Sequence, residues 1–281
     1  SPNGPASVPI WLVARGNKQE NKRKEGLTML VKIIVCLFAG LGAGFGTGFA
    51  GMSAAAVISP MLITFLGVPA YQAIGIALAS DVLASAVSAY TYGKHKNLDI
   101  RNGIMMMAAV LIFTLIGSYI SSLVPNHAMG NASVFLTMLL GIKFIVRPVL
   151  TTKDAQESKT MRQKLIQSIL SGIVVGFICG FIGAGGGMMM LLLLTSVLGY
   201  ELKTAVGTSV FIMTFTALTG SLSHFAIGGM PDLFLLVLCI VFTFLFARIA
   251  AVFANKADPK LLNRLTGVIL FLLGAVMLLV K

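Results

Sequence analysis

The stretch GIVVGFICGFIGAGGGMMM, residues 172–190, decides the fold of this chain. It contains no charged residue and shows no polar face, and it ends in three consecutive glycines followed by three methionines. A helix that is apolar on every face lies in a protein core or in lipid. Glycines allow a helix to unwind without a steric penalty from Cβ. The stretch therefore predicts a membrane-embedded helix that breaks within Gly183–Gly187.

The whole chain shares this apolar character. Hydrophobic residues make up 57% of the 281, and only 11% are charged, whereas soluble domains carry roughly 25% charged residues. The apolar runs are continuous, unlike the alternating strands of an outer-membrane barrel. We therefore expect an all-α, multi-pass protein of the inner (cytoplasmic) membrane with about ten segments, the second and seventh of them short. The segments are 30–49, 52–66, 71–92, 103–123, 130–148, 165–182, 185–198, 204–226, 232–254 and 261–280.

The net charge of +12 does not indicate nucleic-acid binding. The lysines and arginines lie in short loops between apolar segments, as they do in the cytoplasmic loops of membrane proteins. The three cysteines lie in apolar segments without a CxxC pair, so we expect buried free thiols, no metal and no cofactor. HExxH, GxSxG and P-loop motifs are absent from the sequence, which argues against an enzyme and excludes an ATP-driven pump within this chain.

The sequence repeats itself with a shift of 132 positions. GLGAGFGTGFAG at 40–51 then falls on GIVVGFICGFIG at 172–183, and Gly75 falls on Gly207. Glycines matched at fixed spacing indicate a duplication with five segments in each half. An odd number of crossings per half inverts the second half. The predicted units are a first repeat at 29–149, a cytoplasmic linker at 150–164 and a second repeat at 165–281.

Loop charges favour this inverted arrangement. The loops at 93–102, 149–164 and 255–261 are basic, whereas those at 124–129 and 227–231 carry no lysine or arginine. Short cytoplasmic loops are enriched in lysine and arginine, so we expect the three basic loops to be cytoplasmic.

The N-terminal residues 1–28 differ from the rest. They include a basic stretch and no span-length apolar run, and the hydrophobic pattern starts at Met29. They are interpreted either as a disordered native tail or as a non-native extension. If the tail is native, its charges favour a cytoplasmic N-terminus. Four crossings per half, and hence a parallel repeat, then stay open as an alternative.

Two glycine-rich places are candidates for the transport site. Inverted transporters bind substrate near the midplane, where broken helices direct free N–H groups and positive dipole ends at anions. Gly51 to Ser53 in the first half and Gly183–Gly187 in the second are predicted to be such breaks. Glycines spaced by fours upstream of each break are predicted to serve close helix packing instead. These are Gly40, Gly44, Gly48, Gly172, Gly176 and Gly180.

Asp81 is the most informative single residue. It lies in the middle of the segment IALASDVLASAVSAY, and its repeat partner is Met213. A charged residue at the centre of a membrane helix costs about 2.5–3.5 kcal/mol on insertion scales. Asp81 is therefore predicted to couple transport to a proton or cation gradient, or else to be a neutral carboxyl hydrogen-bonded in the interior.

Three motifs resemble the TauE/SafE sulfite exporter family: the GFxxGFxGxGGG run, AVGTSVF at 205–211 and Ser-x-x-His at 221–224. The resemblance covers Met29 to the end and includes a twofold repeat. The first half departs from it, because Ser53-Ala-Ala-Ala56 replaces a glycine-rich run and Ile76-Ala77 replaces a Thr-Ser pair. The predicted substrate-binding residues, from this resemblance and the glycine breaks together, are Gly51, Ser53, Gly183, Gly185, Gly186, Gly187, Thr208, Ser209 and His224.

The resemblance implies a secondary transporter of a small sulfur-containing anion such as sulfite or a sulfonate, coupled to a proton or ion gradient. The partners it implies are this anion and the lipid bilayer, and a homodimer is compatible with it. A membrane-embedded enzyme or a scaffold of sulfur metabolism stays open as the alternative.

Overall fold

A computed structural model describes residues 10–125, 161–183 and 186–258, with a few further positions between 135 and 275. The described part is all-helical, without strands, and holds eight helices. The segments predicted at 130–148 and 261–280 lie almost wholly outside it. The helices are α1 (Ile10–Ala50), α2 (Ala55–Leu66), α3 (Ala70–Lys94), α4 (Ile100–Ser122), α5 (Met161–Ile182), α6 (Gly186–Ser196), α7 (Leu202–Gly228) and α8 (Leu233–Ala254).

Six of these helices are long and apolar enough to cross a membrane, among the residues that the structure describes. They are α1 from Gly26 onward, α3, α4, α5 from Leu165 onward, α7 and α8. The other two, α2 and α6, have 12 and 11 residues. At 1.5 Å per residue such helices are too short to cross a bilayer core of about 30 Å. The two short segments therefore fall where the sequence predicted them.

Helix α1 starts at Ile10, within the stretch that the sequence sets apart as a tail. Its membrane-spanning part covers Gly26–Ala50. Residues 10–28 thus belong to the same helix as the first span. The interpretation of residues 1–28 as a non-native extension stays a prediction.

The backbone repeats with the same shift of 132 residues as the sequence. Gly51 and Gly183, which follow α1 and α5, have φ angles of 62° and 72°. Gly67 and Gly199, which follow α2 and the α6 region, have φ angles of 64° and 78°. L-residues with side chains rarely adopt such angles. Glycine is thus required at both ends of each short helix.

The glycines spaced by fours bring two pairs of helices into close contact, as predicted. A Cβ atom at Gly44 of α1 would lie 2.6 Å from Cβ of Phe246 in α8. A Cβ atom at Gly172 of α5 would lie 2.8 Å from the Met106 carbonyl oxygen in α4. In each pair the contacts advance along both helices in the same direction, so the partners run parallel.

Helices α3 and α7 pack against each other in the centre. Gly75, near the beginning of α3, contacts Phe225, near the end of α7. Gly207, near the beginning of α7, contacts Tyr92, near the end of α3. These two helices therefore run antiparallel, and several of their polar side chains, among them Asp81 and Ser209, are buried.

Candidate functional site

The two breaks in the helices lie directly against each other inside the bundle. The first separates Ala50 from α2, and the second separates Ile182 from α6. A Cβ atom at Gly187 would lie 2.5 Å from both the Gly51 carbonyl oxygen and the Ser53 nitrogen. Only glycine at position 187 allows the two backbones to approach this closely.

Ser209 of α7 joins the two breaks. Its Oγ lies 3.1 Å from the carbonyl oxygen of Gly51 and 3.1 Å from that of Gly187. A hydroxyl carries one proton and can donate it to one acceptor at a time. Ser209 can therefore exchange its hydrogen bond between the two halves of the chain.

Ser53 makes the second connection between the breaks. Its hydroxyl donates to the Gly183 carbonyl oxygen at 3.4 Å and accepts from the Ala55 N–H at 3.3 Å. Ser53 is 2% exposed. The first break thus contributes a side-chain donor to the backbone of the second.

Asp81 lies beside the first break, at the beginning of α2. Its Oδ1 accepts a 2.7 Å hydrogen bond from the Ser85 hydroxyl. The Ser53 hydroxyl and the Ala54 N–H also face this carboxyl group. The N-terminus of a helix carries partial positive charge and stabilises a nearby anion. Short helix α2 therefore directs its positive end at the Asp81 carboxyl.

The other oxygen of Asp81 has no such partner. Oδ2 lies buried without a hydrogen bond to any residue that the structure describes, and so does the Ser88 hydroxyl two turns further along α3. Asp81 is also the only Asp, Glu, Lys or Arg among the buried residues of the described part. A buried acceptor without a partner costs about 1–3 kcal/mol, and more when it is charged. A proton on Oδ2 or a bound ligand would relieve that cost.

Two other predicted site residues face elsewhere, and a third is not described. The Thr208 hydroxyl, next to Ser209 in sequence, accepts from the Asp99 N–H at 3.1 Å in the loop between α3 and α4. Thr208 thus holds a loop rather than the breaks, and His224 lies near the far end of α7. Gly185 lies outside the described residues.

His224 joins three helices. Its Nε2 lies 3.1 Å from the Gly180 carbonyl oxygen in α5, and its Nδ1 lies 3.2 Å from the Tyr71 carbonyl oxygen in α3. Its ring also packs on the Tyr71 ring at 4.2 Å. A neutral imidazole has one N–H, whereas the charged form has two. In the neutral form, therefore, only one of the two ring nitrogens donates a hydrogen bond to its carbonyl oxygen.

A further polar pair escaped the sequence reasoning. Lys32 Nζ of α1 lies 2.7 Å from Oδ2 of Asp232, the residue preceding α8. Both residues border a cavity of about 580 Å³. The sequence does show a single lysine, Lys32, inside the first apolar segment. It does not show the partner of this lysine, which lies 200 residues further along the chain.

Six span-length helices around a buried polar centre define a multi-pass membrane protein. Its curated relatives are named as probable membrane transporters. The chain belongs to the sulfite exporter TauE/SafE family, whose family model matches residues 36–277.

Curated relatives carry the same class name. The probable membrane transporter protein YunE of Bacillus subtilis is 25% identical over 264 residues, covering 87% of this chain and 96% of its own length. The probable membrane transporter protein MJ0441 of Methanocaldococcus jannaschii is 27% identical over 247 residues, covering 82% and 89%. No solved structure matches the chain. The resemblance that the three motifs predicted is thus confirmed at the level of the family.

Proposed function

We propose that this protein is a secondary transporter that moves a small sulfur-containing anion, such as sulfite or a sulfonate, across the cytoplasmic membrane. The observation that carries the proposal is the contact between two broken helices at Ser53 and Ser209, beside the buried carboxyl of Asp81. The family description supports the class of substrate. Coupling to a proton gradient is part of the proposal.

The proposed architecture is an inverted repeat of five segments per half. It is supported by the antiparallel packing of α3 and α7, which occupy equivalent positions in the 132-residue repeat. The helix pairs in contact support it further. Helix α1 packs on α8, and their equivalents in the other half, α5 and α4, also pack on each other. The fifth and tenth segments of this proposal lie outside the described residues.

The proposed substrate site lies at the breaks. The beginning of α6 offers backbone N–H groups without an acceptor in its own helix, and the beginnings of α2 and α6 both carry positive dipole ends. At the beginning of α2 the N–H groups of residues 55–58 already bond Ser53 and Ala54. Ser53 and Ser209 hold carbonyl oxygens of the breaks, so they set the distance between the two backbones. The two breaks contact each other in this structure, and an anion that binds as they separate would meet the two dipole ends together with the two hydroxyls.

Asp81 is the proposed coupling residue. Its carboxyl and an anionic substrate would face the same end of α2, and two negative charges at that separation repel each other strongly in a low-dielectric interior. A proton on Asp81 removes the repulsion. Substrate and proton would therefore bind together, which is the thermodynamic requirement for coupled transport.

Transport by purified protein in liposomes tests this proposal. The wild-type protein should accumulate radiolabelled sulfite or a short-chain sulfonate when a pH gradient is imposed, and should exchange internal for external anion without one. Asp81→Asn imitates the neutral carboxyl. It should retain exchange but equilibrate the anion instead of accumulating it.

The matched control is Thr216→Val. Thr216 is also fully buried, but its hydroxyl donates to Ile212 within the same helix. This variant should accumulate substrate like the wild type. If Asp81→Asn also accumulates at the wild-type rate, Asp81 is structural and the coupling site lies elsewhere, with His224 as the next candidate.

A further inference from the structure

A cavity opens on the side of the bundle where α3 and α8 begin. Its volume is about 580 Å³, and its walls come from α1, the end of α2, the beginning of α3 and the beginning of α8. Volumes of about 300–1,000 Å³ are typical of small-molecule sites. The buried residue Ile76 borders it, and the Ile76 carbonyl accepts from Ser80, which immediately precedes Asp81. The cavity thus approaches the Asp81 region along α3.

The polar lining of this cavity is small and specific. Lys32 and Asp232 are its charged groups, and Gln72 adds an amide. The two charged side chains are 31% and 39% exposed, so both reach water as well as each other. The remaining lining is largely apolar. The anionic partner of Lys32 in this cavity is the Asp232 carboxylate.

Asp232 can release Lys32 without becoming unpaired. Its Oδ1 accepts from the backbone N–H groups of Phe234 at 2.9 Å and Leu235 at 3.4 Å, so it caps α8. Only Oδ2 bonds Lys32. The exposed fraction of Asp232 lets water replace the lysine at Oδ2. Lys32, by contrast, is attracted to any anion that enters the cavity.

We propose that this cavity is an anion-binding vestibule in which Lys32 exchanges the Asp232 carboxylate for the substrate anion. The proposal rests on the proposed function, since the anion is taken to be the transported one. A small oxyanion fits the site because it accepts several hydrogen bonds at once, from Lys32 and from Gln72. The exchange is a gate: Lys32 and Asp232 bond each other when no anion is present.

The first test measures transport kinetics. Lys32→Gln should raise the KM for sulfite about tenfold or more, the equivalent of one charge-assisted hydrogen bond, with kcat nearly unchanged. Lys32→Arg, which keeps the charge, should restore a low KM. Lys203→Gln is the matched control, because that lysine donates to the Asn255 carbonyl oxygen at the other end of α8. Its KM should equal that of the wild type.

The liposome composition separates two sources of the anion. Phosphatidylcholine has no net charge, because its choline cation balances its phosphate, whereas phosphatidylglycerol adds an anionic lipid. If the KM effect of Lys32→Gln appears only when phosphatidylglycerol is present, Lys32 binds a lipid headgroup and the vestibule proposal is wrong. If Lys32→Gln has the wild-type KM while the protein transports sulfite, the vestibule is likewise excluded, but the proposed function stands.

A second measurement does not depend on transport. The thiol of a Gln72→Cys variant should react faster with anionic sulfonatoethyl methanethiosulfonate than with the neutral methyl reagent. Lys32→Gln should lower that ratio of rates by about fivefold or more. The parent chain gives the background, because its Cys36, Cys179 and Cys239 are buried. An unchanged ratio would exclude anion attraction by Lys32, even if no substrate of the transporter is found.

Discussion

The two helix breaks share a backbone but differ in chemistry. Gly51 and Gly183 begin them, 132 residues apart, with φ angles of 62° and 72°. After Gly51 the chain continues with Ser53, whose hydroxyl faces Asp81. After Gly183 the sequence continues with Ala184 and three glycines, and a Cβ atom at Gly186 would meet Cβ of Cys179 at 2.8 Å. The first break therefore carries polar side chains, and the second carries bare backbone.

The long helices beside the breaks differ in the complementary way. Asp81 of α3 corresponds to Met213 of α7, which is fully buried. Ser209 of α7 corresponds to Ala77 of α3, which is also fully buried. Each half thus supplies one polar group that the other lacks. In the proposed repeat, the carboxyl and the bridging hydroxyl thus occupy opposite halves.

The largest effect should come from closing the space between the breaks. Gly187→Ala places a Cβ atom 2.5 Å from two backbone atoms, which cannot rotate away as a side chain could. Overpacking of this kind costs typically about 1–3 kcal/mol and separates the surrounding segments. We expect transport to fall by about tenfold or more, as measured by sulfite flux into proteoliposomes.

Gly26→Ala is the control for this prediction. Nothing lies within 4 Å of the Cβ position at Gly26, so the added methyl meets no neighbour. The variant should transport like the wild type. Wild-type flux and thermal stability in Gly187→Ala would show that the contact between the breaks is not required.

The sequence predicted those features that glycine and charge determine directly. Close helix contacts need small residues at regular spacing, so the glycines spaced by fours were sufficient to predict them. A carboxyl in an apolar segment must be in the protein interior, and Asp81 is fully buried. Both predictions depend only on residue type and position, and both can be read directly from the sequence.

Side-chain direction and long-range pairing could not be predicted in this way. Successive residues on a helix point about 100° apart, so Ser209 faces the breaks whereas Thr208 faces Asp99. A resemblance transfers the residue type but not that direction. The pair of Lys32 with Asp232 joins residues 200 positions apart, and only the packing of α1 on α8 brings them together.

The two bridging hydroxyls should differ in their importance for transport. Ser209 lies 3.1 Å from a carbonyl oxygen of each break, whereas Ser53 bonds one carbonyl at 3.4 Å. A hydrogen bond contributes about 0.5–1.5 kcal/mol net, and longer ones contribute less. Ser209→Ala should therefore slow sulfite exchange by about fivefold, and Ser53→Ala by less.

Exchange rates of the two alanine variants at equal protein density provide the comparison. Ser209→Thr retains the hydroxyl and serves as a control for its loss, provided that the variant folds to the same thermal stability. A larger defect in Ser53→Ala than in Ser209→Ala would reverse the assignment. It would indicate that the Ser53 hydroxyl acts on Asp81 or the substrate rather than on the backbone.

The smallest expected effect concerns the two acidic helix caps, Asp99 and Asp232. They precede α4 and α8, which are equivalent helices in the 132-residue repeat. Asp99 caps α4 and accepts from the neutral Tyr200 hydroxyl at 2.9 Å, whereas Asp232 caps α8 and bonds the Lys32 cation. Chiefly through this hydrogen bond, Lys32 lowers the pKa of Asp232 below its ordinary value. A lowered pKa stabilises the folded state above the unfolded-state value of about 3.9, and this contribution is lost as the pH falls through the folded-state pKa. Because Asp232 is partly exposed, its pair with Lys32 contributes at most about 0.2–1 kcal/mol.

Asp232→Asn should thus lower the thermal unfolding temperature in detergent slightly at pH 7, and the difference from the wild type should shrink below about pH 4 and in high salt. In the Lys32→Gln background the same substitution should cost less, since the charge that it opposes is gone. A cost that is independent of pH, salt and Lys32 would mean that Asp232 acts only as a helix cap.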